Sequence, residues 1–338
     1  MIGLTPVITA AVSFIAVFLL GFVIIPFLKK LHFGQTIRED GPKWHSSKEG
    51  TPTMGGIMIV FGLLIALALG LLYALVTGDR IKSELSSNVK TVRWISALAL
   101  ALAMGIIGFA DDFIKVVKKR NLGLTATQKT FAQLIVSAGY LIVLLFNGMN
   151  TTFVPFIGEV SVLSGAGILF WPVALFFVYG FTNAVNLTDG VDGLASSVTL
   201  VVCCAFMIIA GVSDCAGANL LAAAGAGACI GFVMWNSHPA KVFMGDTGSM
   251  FFGGLVVGLS FAVGKPILLI FAGIVYLCEA LSVVIQVAHF KRTKKRIFKM
   301  TPIHHHFEMC GWSEEKIVFI FSLVTLVGCI AAIFLGLC

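Results

Sequence analysis

The stretch VRWISALALALAMGIIGFADDFIK, residues 92–115, is a run of apolar residues that ends at two adjacent aspartates. A helix needs about 20 apolar residues to cross the hydrocarbon of a bilayer, so the run predicts a membrane-spanning helix near 92–110. A carboxylate beside hydrocarbon is costly and usually has a function. The stretch therefore predicts the class of fold and, at Asp111 and Asp112, part of a site.

The composition of the whole chain also indicates a membrane protein. Hydrophobic residues make up 58% of the 338 residues and charged residues 12%, whereas a soluble domain has about 25% charged residues. Backbone polar groups in lipid must bond within their own segment, which favours helices. We predict an all-α integral membrane protein, one polytopic domain over 1–338 with about ten transmembrane helices. The predicted spans lie near 6–28, 54–76, 92–110, 128–146, 167–184, 194–212, 217–235, 248–264, 266–289 and 317–337.

The basic residues predict how these helices are oriented. Eighteen of the 23 lysines and arginines follow odd-numbered spans, and five follow even-numbered spans. Because cytoplasmic loops carry the excess of Lys and Arg, we expect the odd loops in the cytoplasm and both termini outside. The net charge of +7 then suits anionic lipids or an anionic substrate. The basic residues are spread over separate short loops, so we expect no nucleic acid partner.

The loop TTFVPFIGEVSVLS, residues 151–164, lies on the predicted outer side. Its β-branched residues flank Phe156-Ile157-Gly158-Glu159, which is typical of a short hairpin. We expect a small β-hairpin on the outer surface, with a structural role.

Three more aspartates end apolar spans on the same predicted face as Asp111 and Asp112. Asp189 and Asp192 stand in NAVNLTDGVDG, after span 5, and Asp246 stands in FMGDTGSMFFGG, at the start of span 8. Five acids on one face favour a single site, and carboxylate oxygens are the ligands that Mg²⁺ prefers.

Each acid also has a structural alternative. Asp111 and Lys115 are four residues apart and can pair on one helix face. The Asp-Gly pairs after span 5 can form a turn. At the start of span 8, the free amides of the helix can be capped locally by Asp246, Thr247 or Ser249.

Polar residues of other types are predicted on the same face. Asn183 and Asn186 are three apart and can face one way, and Lys48 precedes GTPTMGG (50–56), which can also simply shape a helix start. Three consecutive histidines follow later in the chain. They fit a solvated loop, or one or two of them can bond an anion or act as a general acid, since His titrates near neutral pH. These are His304, His305 and His306.

Glu279 is the one acid inside a predicted span, with Gln286 two turns later. A site at the midplane of the bilayer is one interpretation. We favour the other, in which Glu279 faces the bundle and caps a break in helix 9.

Carboxylates, lysines, histidines and amides on one membrane face are the mixture that phosphoryl transfer needs. An anionic nucleophile that attacks a diphosphate must overcome charge repulsion. Mg²⁺ and cationic side chains reduce this repulsion, and positioning supplies much of the rest. The depth of the site indicates one lipid substrate and one soluble substrate.

The order of these motifs resembles the polyprenyl-phosphate N-acetylhexosamine-1-phosphate transferases over essentially the whole chain. TPTMGG and the His triplet with Phe307-Glu308 favour the branch that uses UDP-N-acetylmuramoyl-pentapeptide over relatives that make teichoic-acid or O-antigen lipids. The motifs that carry the resemblance are Lys48 with TPTMGG (51–56), FADDFIK (109–115), NAVNLTDGVDGLA (183–195), WNSHPAKVFMGDTGS (235–249) and TPIHHHFE (301–308).

The resemblance implies a reaction of peptidoglycan synthesis. The phospho-N-acetylmuramoyl-pentapeptide group would move from its UDP-linked form to undecaprenyl phosphate, giving lipid I and UMP. A transferase of N-acetylglucosamine-1-phosphate is the alternative within the family. The resemblance further implies Mg²⁺, a homodimer, and a bacterial cytoplasmic membrane with the site facing the cytoplasm.

The same resemblance implies roles for single residues. Asp246 would coordinate Mg²⁺, Asp111 would be the base on the lipid phosphate, and Asp112 would assist the metal or the phosphate. His304 completes the expected catalytic set, and Phe243 would stack on uracil. The expected substrate-binding residues are Lys48, Lys115, Asn183, Asn186, Asp189, Asp192, Asn236, Phe243, Gln286, His305 and His306. We favour direct attack by the lipid phosphate over a covalent aspartyl intermediate at Asp246.

Two other classes fit the sequence less well. An ion-coupled transporter places its polar groups near the midplane in broken helices, whereas here only Glu279 is deep. An intramembrane aspartyl protease needs two acids that face each other at membrane depth, and it leaves the lysines and histidines unexplained.

Overall fold

The computed structural model describes residues 3–31, 48, 50–118 and 123–337, which form a bundle of helices with one small sheet. The helices, in chain order, are Leu4–Lys30 (α1), Gly56–Thr77 (α2), Arg80–Glu84 (α3), Asn88–Val117 (α4), Ala126–Phe146 (α5), Phe170–Thr188 (α6), Leu194–Val212 (α7), Ala216–Asn236 (α8), Gly245–Ala262 (α9), Leu268–Ala272 (α10), Ile274–Thr293 (α11), Ile303–Glu308 (α12) and Glu314–Leu337 (α13). A 3-10 turn at Gly165–Leu169 leads into α6.

The predicted all-α membrane fold is confirmed. Within the described ranges, nine helices are long and apolar enough to cross a bilayer. The eighth predicted span, 248–264, forms α9, which is not among these nine. Its first turn, Gly-Asp-Thr-Gly-Ser, is polar, and every residue from Thr247 to Ala262 is buried by the rest of the bundle. α9 is therefore the central helix, and the membrane orientation of the whole bundle stays a prediction from charge.

Small residues allow α9 to lie directly against its neighbours. It packs along α4 and also contacts α2 and α6. A side-chain carbon added at Gly108 of α4 would collide with the carbonyl group of Asp246. Such close backbone approach is how helices associate in lipid, where packing rather than hydrophobic burial holds them together. The carboxyl end of α4 is thereby fixed against the amino end of α9.

The ninth predicted span is two helices rather than one. α10 ends at Ala272 and α11 begins at Ile274, with the break at Gly273. Glu279 is fully buried and faces the bundle, as predicted. Its predicted role as a cap of the break is wrong, because its carboxylate instead contacts His304, which lies beyond the other end of α11.

The predicted hairpin is confirmed within residues 151–164. Strands Thr151–Val154 (β1) and Gly158–Ser161 (β2) pair antiparallel, with Thr151 opposite Ser161. Its turn exposes the side chains of Phe156 and Ile157.

Candidate active site

Three aspartates meet where α4 ends and α9 begins. Asp111 and Asp112 lie in the last turns of α4 and are each 3% exposed, and Asp246 lies in the first turn of α9. One carboxylate oxygen from each lies within 4.8 Å of the others. The close packing at Gly108 is what brings them together, and the trio has the ligand types and spacing of a metal site.

Asp112 caps the amino end of α9. Its Oδ1 accepts a hydrogen bond from the Asp246 amide (3.1 Å), and its Oδ2 accepts from the Thr247 amide (2.8 Å) and hydroxyl (2.7 Å). Gly245, at φ +69°, turns the chain so that these amides face Asp112. The local capping alternative is wrong, because no side chain of the first turn of α9 caps it and the acceptor comes from α4.

Two lysines bind the same oxygen of Asp246. Lys115 Nζ lies 2.8 Å and Lys129 Nζ 3.0 Å from Asp246 Oδ2. Lys115 also pairs with Asp111 Oδ2 at 2.6 Å, as their spacing along α4 predicts. Asp111 Oδ1 accepts from the Leu124 amide at 2.8 Å. We call Asp111, Asp112, Lys115, Lys129 and Asp246 the α4–α9 cluster.

The two asparagines of α6 have different partners. Asn186 donates to Asp246 Oδ1 and to Ser249 Oγ, both at 2.7 Å, so it belongs beside the α4–α9 cluster. Asn183 exchanges amide hydrogen bonds with buried Gln133 of α5 and does not face Asn186's partners. Its predicted contact with substrate stays a prediction.

A second polar cluster lies on the same end of the bundle. Lys48 Nζ is 2.7 Å from both Asp192 Oδ1 and Glu314 Oε2. His238 Nδ1 lies 3.1 Å from Asp192 Oδ2, and the Asp192 amide donates to Glu314 Oε2. We call Lys48, Asp192, His238 and Glu314 the Lys48 cluster, and it joins four separate segments of the chain.

Backbone hydrogen bonds tie the predicted nucleotide residues to the same region. The Phe243 amide donates to Pro52 O, and Phe243 O accepts from the Gly55 amide, each at 2.8 Å. Asn236 is buried and bonds the Gly193 amide and Val242 O. The backbone of Phe243 is thus tied to the TPTMGG segment, and Asn236 ties the neighbouring Val242 to the DGVDG loop (189–193).

The charges of the two clusters affect the pKa values of Asp189 and Lys48. Burial, followed by repulsion from Asp246, Asp112 and Asp192, raises the pKa of Asp189 to about 8. Burial alone would lower the pKa of Lys48, but hydrogen bonds and attraction from Asp192 and Glu314 outweigh it and raise that pKa above its usual value. At neutral pH Asp189 is thus protonated and Lys48 charged.

The three histidines lie on α12 and face different partners. His304 is fully buried against Glu279, whereas His305 Nδ1 lies 2.5 Å from Glu308 Oε2. His306 Nδ1 accepts from the Lys299 amide at 3.1 Å. Gln286 Oε1 accepts from the amides of residues 297 and 298 and so fixes the segment that leads to α12.

Three residues of the site were not predicted from the sequence. Lys129 follows a capping box (Thr125 and Gln128) and faces into the bundle. Its place one turn into an apolar helix was the signal that could have indicated a functional lysine. Glu314 lies in the first turn of α13, where acidic residues are common. His238 lies in the motif WNSHPAKVFMGDTGS, but no role was predicted for it. Their contacts join segments 46 to 266 residues apart, so local patterns do not reveal them.

The arrangement combines groups that bind anions with groups that can hold a metal ion. Three carboxylates with two lysines form one cluster, and a lysine between two carboxylates belongs to the other. Such groups can bind a cation and a phosphate group. Both clusters contain three groups of metal-ligand type, Asp111, Asp112 and Asp246 in one and Asp192, His238 and Glu314 in the other.

Comparisons with known proteins agree with this picture. The model of the family described as "Glycosyl transferase family 4" matches residues 94–264. The model described as "Phospho-N-acetylmuramoyl-pentapeptide-transferase signature 1" matches residues 48–60. The phospho-N-acetylmuramoyl-pentapeptide-transferase of Clostridioides difficile (strain 630) is 45% identical over 331 residues, 97% of each chain. Proteins of the same name from Desulforamulus reducens (45%, 94% of each chain) and Oceanobacillus iheyensis (42%, 97% of each chain) are similar.

Proposed function

The chain belongs to glycosyl transferase family 4 and, within it, to the phospho-N-acetylmuramoyl-pentapeptide-transferases, and we propose that it makes lipid I. In this reaction the phospho-N-acetylmuramoyl-pentapeptide group of the UDP-linked precursor moves to undecaprenyl phosphate. The observation that carries the proposal is the α4–α9 cluster, in which two lysines and three carboxylates meet at one end of a membrane bundle.

The transfer is a displacement at phosphorus. An oxygen of undecaprenyl phosphate forms a bond to the phosphorus that carries the sugar, and the bond from that phosphorus to the bridging oxygen breaks. The electron pair of the broken bond leaves with UMP. A proton still held by the attacking phosphate passes to Asp111, whose carboxylate lies at the end of α4.

Lys115 and Lys129 supply the positive charge that the displacement needs. Their ammonium groups lie 2.8 and 3.0 Å from Asp246 Oδ2 and so place two positive charges at one point of the site. Cationic groups fixed by the fold reduce the repulsion between the nucleophile and the diphosphate without reorganising during the reaction.

Mg²⁺ fits the α4–α9 cluster because its donors are carboxylate oxygens within 4.8 Å of one another. When bound, the ion would neutralise charge on the diphosphate. Asp246 is the principal ligand, and Asp111, which takes up the proton, lies beside it. Both carboxylate oxygens of Asp112 accept hydrogen bonds from the amino end of α9, so its main role is to hold Asp246 in place.

The Lys48 cluster and its surroundings bind the nucleotide. Lys48 is a fixed cation for a phosphate group, Phe243 offers a half-buried ring for uracil, and Asp189 is protonated at neutral pH and can donate to an anion. The enzyme works as a homodimer in the bacterial cytoplasmic membrane. Its site faces the cytoplasm, where the positive loops are predicted.

Release of UMP tests the function. Purified protein is incubated with Mg²⁺, undecaprenyl phosphate and either UDP-N-acetylmuramoyl-pentapeptide or UDP-N-acetylglucosamine. We expect UMP with the first nucleotide and none with the second, and no UMP when the lipid phosphate is omitted. UMP from the second nucleotide alone would favour a transferase of N-acetylglucosamine-1-phosphate and contradict the proposal.

A further inference from the structure

Glu279 is an acid that the proposed reaction does not use. Its side chain is 0% exposed and lies in α11, one of the helices long and apolar enough to cross a bilayer. A buried carboxylate in such a helix costs free energy unless it is paired, and those that persist usually serve a function. Its contacts therefore indicate what it does.

The carboxylate of Glu279 contacts one residue at two points. Its Oε2 lies 3.1 Å from Nδ1 of the His304 ring and accepts a hydrogen bond from the His304 amide at 3.4 Å. The imidazole is also 0% exposed. One carboxylate thus fixes both the ring of His304 and the backbone at the start of α12.

The opposite edge of the same imidazole faces the DGVDG loop. A side-chain carbon added at Gly190 would collide with His304 Nε2, so this nitrogen lies directly against the loop. In the part of the chain that the structure describes, Nε2 has no hydrogen-bond partner. Glu279, His304 and Gly190 therefore form a row that leads from the bundle interior to the residue next to Asp189.

We propose that Glu279 is a positioning residue for the transfer reaction, which holds the buried ring of His304 so that it supports the DGVDG loop next to Asp189. The inference rests on the proposed function. The Glu279 carboxylate, 3.1 Å from Nδ1 and bonded to the His304 amide, fixes the position of the ring.

A merely structural acid would act differently. If Glu279 served only to attach α12 to α11, its loss would lower the unfolding temperature, and its effect on turnover would not depend on the chemistry of residue 304. His305 provides a matched control, because it is the next residue of α12 and its Nδ1 contacts Glu308 instead.

The test is a double-mutant cycle. The kcat for UMP release and the unfolding temperature are measured for wild type, Glu279→Gln, His304→Asn and the double variant, and for the same cycle with His305→Asn. We expect Glu279→Gln to lower kcat about 10²-fold, the loss that a misplaced reacting group causes. In the His304→Asn background it should have no further effect, whereas with His305→Asn the two effects should multiply.

Three results would overturn the inference. They are an unchanged kcat in Glu279→Gln, an equal loss in the wild-type and His304→Asn backgrounds, and a loss that follows only the unfolding temperature. In each case wild-type UMP release continues, so the proposed function stands. Absence of UMP release by wild type would overturn both.

Gly190→Ala keeps the test decisive if Glu279→Gln yields no folded protein. The added methyl group displaces His304 Nε2 while Glu279 remains, so kcat should fall and the loss should disappear in His304→Asn. Gly180→Ala is the control, since a side-chain carbon there meets nothing within 4 Å. Full activity of Gly190→Ala would contradict the proposed position of the ring.

Discussion

The α4–α9 cluster and the Lys48 cluster are built from similar groups in different ways. Each has three groups of metal-ligand type and at least one lysine. The first is set on the ends of packed helices and is fixed by the contact at Gly108. The second joins four segments, and its lysine lies 2.7 Å from two carboxylates. Rigid helix ends suit chemistry, whereas a junction of segments suits binding.

The largest effect is expected from the acid at the centre of the α4–α9 cluster. Asp246→Asn removes the charge that orders Lys115 and Lys129, so kcat for UMP release should fall about 10³-fold, comparable to the loss of a major electrostatic group. Binding of the nucleotide should persist. Asp214→Asn is the control, because that acid is 67% exposed and remote from both clusters. Similar losses in both variants would show that the effect is not specific to the α4–α9 cluster.

Lys129 should matter for turnover in the same way, although no role was predicted for it from the sequence. Lys129→Met leaves Asp246 with one lysine, and we expect kcat to fall about 10²-fold. Lys118→Met changes an exposed lysine just after α4 and should be neutral. Steady-state kinetics of UMP release compare the two, and a neutral Lys129→Met would remove this lysine from the mechanism.

The Lys48 cluster should affect binding more than turnover. Lys48→Met removes a cation for the nucleotide, and the KM for the UDP-linked substrate should rise about tenfold, the cost of one charged hydrogen bond. We expect kcat to change little. Lys241→Met alters an exposed lysine in the segment that also carries His238 and serves as control. A fall in kcat at unchanged KM would assign Lys48 to the chemistry instead.

Asp189 makes the binding side dependent on pH. Its pKa of about 8 means that it is neutral at pH 7 and becomes negative as the pH rises through 8, facing Asp246, Asp112, Asp192 and the cation of Lys48. A new negative charge repels the diphosphate, so KM should rise above pH 8. Asp189→Asn should flatten this profile, and an unchanged profile would show that another group titrates.

The smallest effect is expected from the helix contact below the α4–α9 cluster. Gly108→Ala overpacks α4 against α9 and should cost about 1–3 kcal/mol of stability, with a moderate loss of kcat and little change in KM. Gly139→Ala, on the lipid side of α5, meets nothing within 4 Å and should be neutral or slightly stabilising. Thermal unfolding of both variants measures the difference.

The helices were predictable because each apolar run is long and ends at polar residues. The same regularity placed Asp111, Asp112 and Asp246 on one end of the bundle, and the pairing of Asp111 with Lys115 followed from helix geometry. α9 was predicted as a span like the others, although its environment is protein rather than lipid, since apolar residues suit both.

The contacts that distinguish the clusters were not predictable. Asp112 is adjacent to Asp111 in sequence, yet it caps α9, because the partner depends on how two helices pack. Glu314 and Lys129 gain their roles from segments far away in the chain. A break in helix 9 was predicted, but not its exact position at Gly273. The role of Glu279 could not be inferred without the location of His304.

The decisive experiment measures which of the two clusters binds a divalent cation. Mn²⁺ replaces Mg²⁺ as a probe, and its binding to purified wild type, Asp246→Asn, Asp192→Asn and Asp214→Asn is titrated by electron paramagnetic resonance. We predict that Asp246→Asn loses the bound ion, while Asp192→Asn and the control keep it. Loss of the ion in Asp192→Asn with normal binding in Asp246→Asn would place the metal in the Lys48 cluster and contradict its assignment to the α4–α9 cluster.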